Sequence, residues 1–161
     1  MDSLQSNNKN NNERVLLAQG IEWAKAQREE LIWQYIKALR TTEVTDFYRK
    51  LETEQLYKRS ALNIDTLILR LEGQKLEPEH MKKLLVVQYT QGVLTFEITL
   101  HAAGLLQEVF KNKAQQDLAQ NQPQVYATFM KKTEYIIGLM KSTMAAARIE
   151  ALGQVEQQPT A

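Results

Sequence analysis

The chain has 161 residues and carries 20 basic and 19 acidic side chains, which leave a formal net charge of +1 at pH 7. This length suits one domain, and a charge so near zero creates no long-range field to attract nucleic acid. The absence of cysteine excludes a disulfide framework, a thiolate metal site and thiol redox chemistry. Because the N-terminus also lacks the apolar core of a signal peptide, we expect a cytoplasmic protein.

The two ends of the chain differ from the rest in composition. Residues 1–12 are polar and rich in asparagine, with too few apolar groups to offset the entropy of ordering, so a disordered head is expected. Residues 154–161 are similarly polar and are expected to form a flexible tail. The sequence therefore predicts one folded domain, residues 13–153.

The first predicted helix covers residues 13–40, where apolar side chains recur three and four positions apart. Gly20 is the candidate position for a bend in it. A break at Thr41 and Thr42 precedes a shorter predicted helix, residues 43–56. The apolar stripe of the first helix consists of Leu31, Ile32, Tyr35, Ile36 and Leu39.

A third helix is predicted before Gly73, because Ile64, Leu67, Ile68 and Leu71 form one apolar stripe. Gly73 follows the stripe at the position where a positive φ ends a helix at the least cost. Pro78 suits the first turn of the next helix, where its missing N–H leaves no hydrogen bond unmade.

Residues 84–106 form the most apolar part of the chain, with Glu97 as the one side chain expected to be ionised at neutral pH. Residues 94–100 alternate between apolar and polar, which is also the pattern of a strand. Helical spacing continues through the same residues and no second strand is predicted, so we favour one long buried helix ending near residue 118. Its polar side chains make a membrane span too costly.

The last predicted helix covers residues 123–152, after a break at Asn121, Gln122 and Pro123 and before a terminating Gly153. With every element helical, the predicted fold class is all-α. Two long C-terminal helices with excess apolar surface also suggest a homodimer.

Little in the chain resembles catalytic machinery. No phosphate-binding loop, nucleophile elbow or zinc-protease motif occurs, so we expect no enzymatic activity. His80 is expected at the surface, in the first turn of its helix. His101 follows Glu97 by four residues and could form a buried pair with it, either as a structural hydrogen bond or as a proton-sensitive latch. Too few His or Cys ligands accompany this pair to predict a metal site.

The small residues inside the two long helices, including Gly104, Gly138 and the run 145–147, either let helices approach closely or leave space between them. Space lined by aliphatic and aromatic side chains suits an acyl chain, whose carboxylate needs a cation or a few donors at the mouth. Arg70, Tyr89 and His101 are the candidates for that role. The predicted channel residues are Leu67, Arg70, Val86, Tyr89, Val93, Phe96, Leu100, His101, Ile136 and Met140.

A family resemblance rests on residues 67–81, LILRLEGQKLEPEHM, continuing through Val87, Gln88 and Tyr89. This segment, a helix and a short glycine-containing turn ahead of two very long helices, resembles the non-haem globin sensor domains of stressosome regulators and sporulation histidine kinases. No kinase or other effector sequence follows Gly153, so the chain is most similar to free-standing relatives in spore-forming Bacillus species.

The resemblance implies a globin-like fold, a homodimer through the two long helices, a fatty acid in an internal channel and, in some members, a chloride ion. It also implies a sensor module without an output domain that inhibits sporulation by competing with a sensor histidine kinase for its signal. Haem is not expected, because residues 56–73 contain no histidine to bind the iron and His80 comes too early in the next helix. The alternative function is a helical adaptor with a fully packed core that docks a partner protein.

Overall fold

A computed structural model describes residues 2–75 and 77–157, and every regular element within these ranges is a helix. The prediction of an all-α protein is therefore confirmed. The helices are α1 (Asp2–Ala26), α2 (Arg28–Thr41), α3 (Phe47–Lys50), α4 (Thr53–Leu71), α5 (Pro78–Gln91), α6 (Phe96–Asp117) and α7 (Pro123–Gln157).

The first predicted helix is divided at Gln27 into α1 and α2, and the whole predicted stripe of α2 is buried. The helix α1 continues through Gly20, where a bend was expected. Gly20 lies where α1 crosses α7, and a Cβ atom at this position would approach Phe129 to 2.7 Å. The glycine therefore permits a close helix contact that a larger residue would prevent.

The helix predicted over residues 43–56 is wrong, because only α3 and the first turn of α4 are helical there. Leu51 and Glu52 between them have extended backbones, with ψ of 142° and 149°. The guanidinium of Arg40 donates hydrogen bonds to the carbonyl oxygens of Arg49 and Leu51, at 3.4 and 3.1 Å. These bonds satisfy acceptors that a continuing helix would otherwise use, so the side chain ends α3.

The single long helix predicted through residues 84–106 is also wrong, because α5 ends at Gln91 and α6 begins at Phe96. Gly92 adopts a left-handed conformation, with φ of 71°, at the C-terminus of α5. The Thr95 hydroxyl then accepts a hydrogen bond from the Ile98 amide and caps α6. Both caps satisfy backbone groups that an interior break would leave unpaired.

This apolar segment is not enclosed by the rest of the chain. Leu84, Val87 and Val93 are 54%, 52% and 55% exposed. Because α5 packs mainly on α7, the side chains on its other faces meet solvent or a cavity. None of the described helices is both long enough and apolar enough to span a membrane.

The predicted turns on either side of these helices are confirmed. Gly73 has a φ of +98° just after α4, and Pro78 occupies the first turn of α5. Residues 118–122 separate α6 from α7, as the Asn-Gln-Pro sequence indicates. Gly153 does not end the last helix, which continues to Gln157, and Gly153 does not have a positive φ.

Residues 2–12, for which the sequence predicts disorder, form the first turns of α1. Those side chains whose burial is described, residues 6–12, are all exposed. The helix extends by propagation from its packed C-terminal half, without burying an apolar face of its own. In the expected flexible tail, residues 154–157 belong to α7 and residues 158–161 lie outside the described range.

Helix α7 is the centre of the fold and packs against α1, α4, α5 and α6. Helix α2 crosses α4 on one side and α6 on the other, so one continuous core joins these elements. Phe110 and Phe129 are fully buried and stack with ring centroids 6.3 Å apart. Helix α4 packs mainly on α2 and helix α5 on α7, and the space between α4 and α5 is the main cavity.

Candidate functional site

The space between α4 and α5, here called the α4–α5 cavity, has a volume of about 780 Å³. That volume lies within the range of small-molecule sites, roughly 300–1,000 Å³. Its floor is formed by α2, α6 and α7 together with the inner face of α4, and most of its side chains are apolar and buried. The buried floor residues are Tyr35, Leu39, Tyr48, Leu56, Ser60, Leu94, Thr99, Ala102, Ala103, Leu106, Met140 and Met144.

The mouth of the cavity runs between the outer faces of α4 and α5. Leu62 and Leu84 lie on its two sides and are 66% and 54% exposed. Large apolar side chains so exposed at a concave opening are typical of a binding site. The polar rim residues are Arg59, Asn63, Thr66, Lys75, Glu77, His80 and Gln88.

Two tyrosines line the floor of the cavity, Tyr35 and Tyr48. The Tyr35 hydroxyl donates a hydrogen bond of 3.1 Å to the carbonyl oxygen of Ala102, so it is already partnered. Burial raises the pKa of Tyr35, and burial raises the pKa of Tyr48 to about 12 against the opposing charge of Arg59. Both side chains therefore remain neutral at physiological pH, and the Tyr48 phenol keeps its proton as a hydrogen-bond donor.

Ser60 is the exceptional polar residue of the floor. Its side chain is fully buried, and its Oγ has no hydrogen-bond partner among the described residues. Several other hydroxyls on the helices bond to the carbonyl four residues earlier, as the buried Thr133 does to Phe129 at 2.8 Å. An unpaired buried hydroxyl costs about 1–3 kcal/mol, so a polar atom placed beside Ser60 would be stabilising.

The charges on the rim are arranged unevenly. The guanidinium of Arg59 lies 5.5 Å from the centre of the Phe47 ring, and no carboxylate within the described residues forms an ion pair with it. At the α4–α5 turn, Lys75 and His80 share the rim with the carboxylate of Glu77. The Arg59 end therefore carries unopposed positive charge, whereas the turn end has mixed charge.

Of the ten predicted channel residues, only Met140 lines the α4–α5 cavity. Leu67 and Ile136 belong to the closed core. Val86 packs with Ala147 and Ala151 between α5 and α7. These side chains do face the interior, as predicted, but they fill helix contacts rather than bordering open space.

The aromatic candidates are partnered elsewhere. The Tyr89 hydroxyl lies 2.5 Å from the Thr99 hydroxyl, and the two rings of Tyr89 and Phe96 meet edge to face. Arg148 covers the Phe96 ring at 4.8 Å. Val93 is exposed in the turn between α5 and α6.

The predicted cation Arg70 lies beside the cavity without lining it. Its Nη2 donates to the sulfur of Met81, a cavity residue, at 3.8 Å, and its Nε is buried without a partner. Burial lowers the pKa of Arg70.

Leu100 and His101 lie in a separate, shallower cavity of about 430 Å³ on the outer face of α6. The predicted Glu97–His101 pair is not formed. Instead, His101 Nε2 lies 2.6 Å from the Thr42 hydroxyl, and Glu97 pairs with Arg148 at 3.5 Å. Each side chain is therefore partnered by a residue outside α6. His101 contacts Thr42, which follows α2, and Glu97 pairs with Arg148 in α7.

Sequence reasoning missed Tyr48, Arg59 and Ser60. A signal for Ser60 exists, because Leu56, Ser60 and Ile64 are spaced by four residues, which places a hydroxyl within an apolar helical stripe. Nothing in the sequence indicates that this hydroxyl lacks a partner. The position of His80 at the surface is confirmed.

Comparisons of the chain with models of protein families, with curated proteins and with solved structures gave no significant match. Within residues 2–75 and 77–157, no group of three His, Asp or Glu side chains is arranged to hold a metal ion. The candidate site is therefore characterised by its own geometry: an apolar floor, an open mouth and a cationic end.

Proposed function

We propose that the chain is a signal-binding module that takes a long-chain fatty acid into the α4–α5 cavity. The observation that carries this proposal is the cavity itself, about 780 Å³ of mostly apolar, buried floor with Arg59 unopposed at one end. Apolar walls suit a hydrocarbon chain and a rim cation suits its carboxylate. No catalytic group is needed for this role.

The expected affinity follows from burial. About ten buried methylenes contribute roughly 8 kcal/mol, from which the cost of association and of ordering the chain is subtracted. Apolar burial alone therefore gives micromolar binding or weaker. Tighter binding requires polar contacts to the carboxylate.

The proposed fold is globin-like, as the family resemblance implies. It is supported by the order of the helices, by the packing of α7 against α1, α5 and α6, and by a ligand cavity between α4 and α5. On the same resemblance, the fatty acid is a signal shared with a sensor histidine kinase, and its sequestration inhibits sporulation. A chloride ion belongs to this proposal through the resemblance alone.

The test is direct binding of palmitate to the purified protein, measured by native mass spectrometry and by thermal unfolding. One bound palmitate is expected, with Tm rising by roughly 5 °C or more at a hundredfold excess over Kd. Ala103→Trp places an indole in the cavity and should abolish both effects. Leu100→Trp, on the outer face of α6, is the matched control and should retain them.

Two results would refute this proposal. The first is an absence of both bound lipid and thermal shift for the unmodified chain. The second is unchanged binding in Ala103→Trp. A Soret band after addition of haem would show that the chain binds haem instead.

We also propose that the protein is a homodimer through α7. Tyr135, Leu139, Ser142, Ala146 and Ile149 follow one another at spacings of four and three, and all five are exposed. Exposed positions repeating every seven residues, with small side chains at the centre, are typical of a helix-pairing seam. Light scattering should give twice the chain mass, and Ile149→Glu should give the monomer.

The same exposed stripe is the observation that favours the adaptor alternative, in which a different protein covers α7. The adaptor hypothesis also expects a fully packed core, whereas the α4–α5 cavity leaves a large lined space. A chain that remains monomeric at high concentration and binds no fatty acid would favour the adaptor function.

A further inference from the structure

Three polar residues line the α3–α4 end of the α4–α5 cavity: Tyr48, Arg59 and Ser60, here called the head-group cluster. Arg59 and Ser60 are consecutive in α4. The ring of Phe47 in α3 links Arg59 to Tyr48, because it lies 5.5 Å from the Arg59 guanidinium and 5.2 Å from the Tyr48 ring. The cluster therefore combines a cation with two hydroxyl groups at one end of an apolar floor.

Each member has hydrogen-bonding or charge capacity that the protein leaves unused. The Ser60 hydroxyl is fully buried without a partner, and Arg59 has no carboxylate within ion-pair distance in the described part of the chain. The Tyr48 phenol is buried and keeps its proton in the physiological range, since burial raises its pKa to about 12. Two hydroxyl donors and a cation among the residues that line one cavity are complementary to a carboxylate.

We infer that the head-group cluster binds the carboxylate of the acyl ligand, with Ser60 and Tyr48 donating hydrogen bonds and Arg59 supplying the charge. This inference rests on the proposed fatty-acid function and adds an orientation to it. The hydrocarbon chain then extends from the cluster over the apolar floor towards Leu106 and Met144.

The opposite orientation would place the carboxylate at the α4–α5 turn, beside Lys75 and His80. Glu77 lines the same rim and would repel the carboxylate. Arg59 and Lys75 are both exposed, so the difference between the two ends lies in the carboxylate of Glu77 and not in solvent screening. That orientation would further leave the buried Ser60 hydroxyl facing a hydrocarbon chain without a partner, which is unfavourable.

The experiment compares palmitate with its uncharged methyl ester, each displacing the fluorescent fatty acid cis-parinarate from the protein. Arg59→Gln and Ser60→Ala test the cluster, and Lys75→Gln removes one charge from the other end of the rim. We expect Arg59→Gln and Ser60→Ala each to weaken palmitate binding by at least about tenfold, as loss of a hydrogen bond to a charged group does. Methyl ester binding should change less than palmitate binding in both variants, because the ester carbonyl still accepts a hydrogen bond but carries no charge, and Lys75→Gln should weaken palmitate binding less than either of them.

The cluster assignment is overturned if Arg59→Gln and Ser60→Ala bind palmitate as tightly as the unmodified chain, or if Lys75→Gln weakens it equally. In those cases palmitate still binds and the proposed function stands. If the unmodified chain binds neither palmitate nor the ester, the proposed function fails together with the inference. Circular dichroism of each variant confirms that it is folded, and Arg59→Lys should recover part of the palmitate affinity because it restores the charge.

Discussion

The contact of α1 with α7 at Gly20 allows a sharp test of the packing. In the Gly20→Ala variant the new Cβ would lie 2.7 Å from both Cβ and Cδ2 of Phe129 and 2.9 Å from Cγ. Ordinary van der Waals contacts begin at 3.4 Å, so the atoms must separate by about 0.7 Å. One of the clashing atoms is the Phe129 Cβ, which side-chain rotation cannot move away.

Phe129 has little room to move. It is fully buried, with the Trp23 ring edge-on at 5.5 Å and the Phe110 ring stacked at 6.3 Å. Overpacking of this kind costs about 1–3 kcal/mol, and rigid surroundings favour the upper end. Because alanine is favoured over glycine in a helix by about 1 kcal/mol, we expect a net loss of about 2 kcal/mol in unfolding free energy.

Urea unfolding of Gly20→Ala and of Gly138→Ala provides the assay. Gly138 is also inside a helix, but a Cβ added there meets no atom within 4 Å, so its replacement should stabilise the protein by up to about 1 kcal/mol. For a chain of this size, about 2 kcal/mol also corresponds to a fall in Tm of several degrees. If Gly20→Ala were as stable as Gly138→Ala, the close approach of α1 and α7 would be refuted.

Other stability measurements test separate contacts. Asp65→Asn should lower the unfolding free energy by about 1 kcal/mol or less, because the two hydrogen bonds from Arg28 to Asp65, at 2.7 and 2.8 Å, are partly exposed. A double-mutant cycle with Arg28→Met measures the coupling energy of the two residues. Trp23→Phe should cost about 1–2 kcal/mol in chemical unfolding, because it removes the 3.0 Å bond from the indole N–H to Asp117. Burial raises the Tyr48 pKa from 10 to about 12, so this group should not change the unfolding free energy below pH 10. Between pH 10 and 12 the unfolding free energy should fall by up to about 1.4 kcal/mol per pH unit. Tyr48→Phe should reduce that slope, and an equal slope in the variant would argue against the buried phenol.

The helices of the core could be predicted because their signals are local. The stripes of α2 and α4, the positive φ at Gly73 and the start at Pro78 each depend on a few neighbouring residues. The ends of α5 and α6 were equally local, with Gly92 and Thr95 as caps. They were missed because the apolar spacing continues across them, and periodicity does not distinguish one long helix from two capped ones.

The candidate site could not be predicted in the same way, because a cavity lies where helices fail to pack. Apolar side chains such as Leu67 and Ile136 face inward in either case, and only the crossing of α4 and α5 with their partners decides which of them border open space. Nor does the sequence decide whether the Ser60 hydroxyl has a hydrogen-bond partner. The periodicity of a sequence identifies the buried face of each helix, but it does not show which helix packs against that face.

The connection between a ligand and the surface of α7 depends on α5. This helix forms one wall of the α4–α5 cavity and packs against α7, and each of its connecting turns contains a glycine with positive φ, Gly73 or Gly92. A ligand that contacts both α4 and α5 therefore favours one position of α5 on α7. In the proposed dimer, such a ligand changes the pairing of α7 only as far as it binds the dimeric and monomeric arrangements with different affinity. By linkage, dimerisation must then change the palmitate affinity by the same factor, so Ile149→Glu would alter ligand binding without touching the cavity.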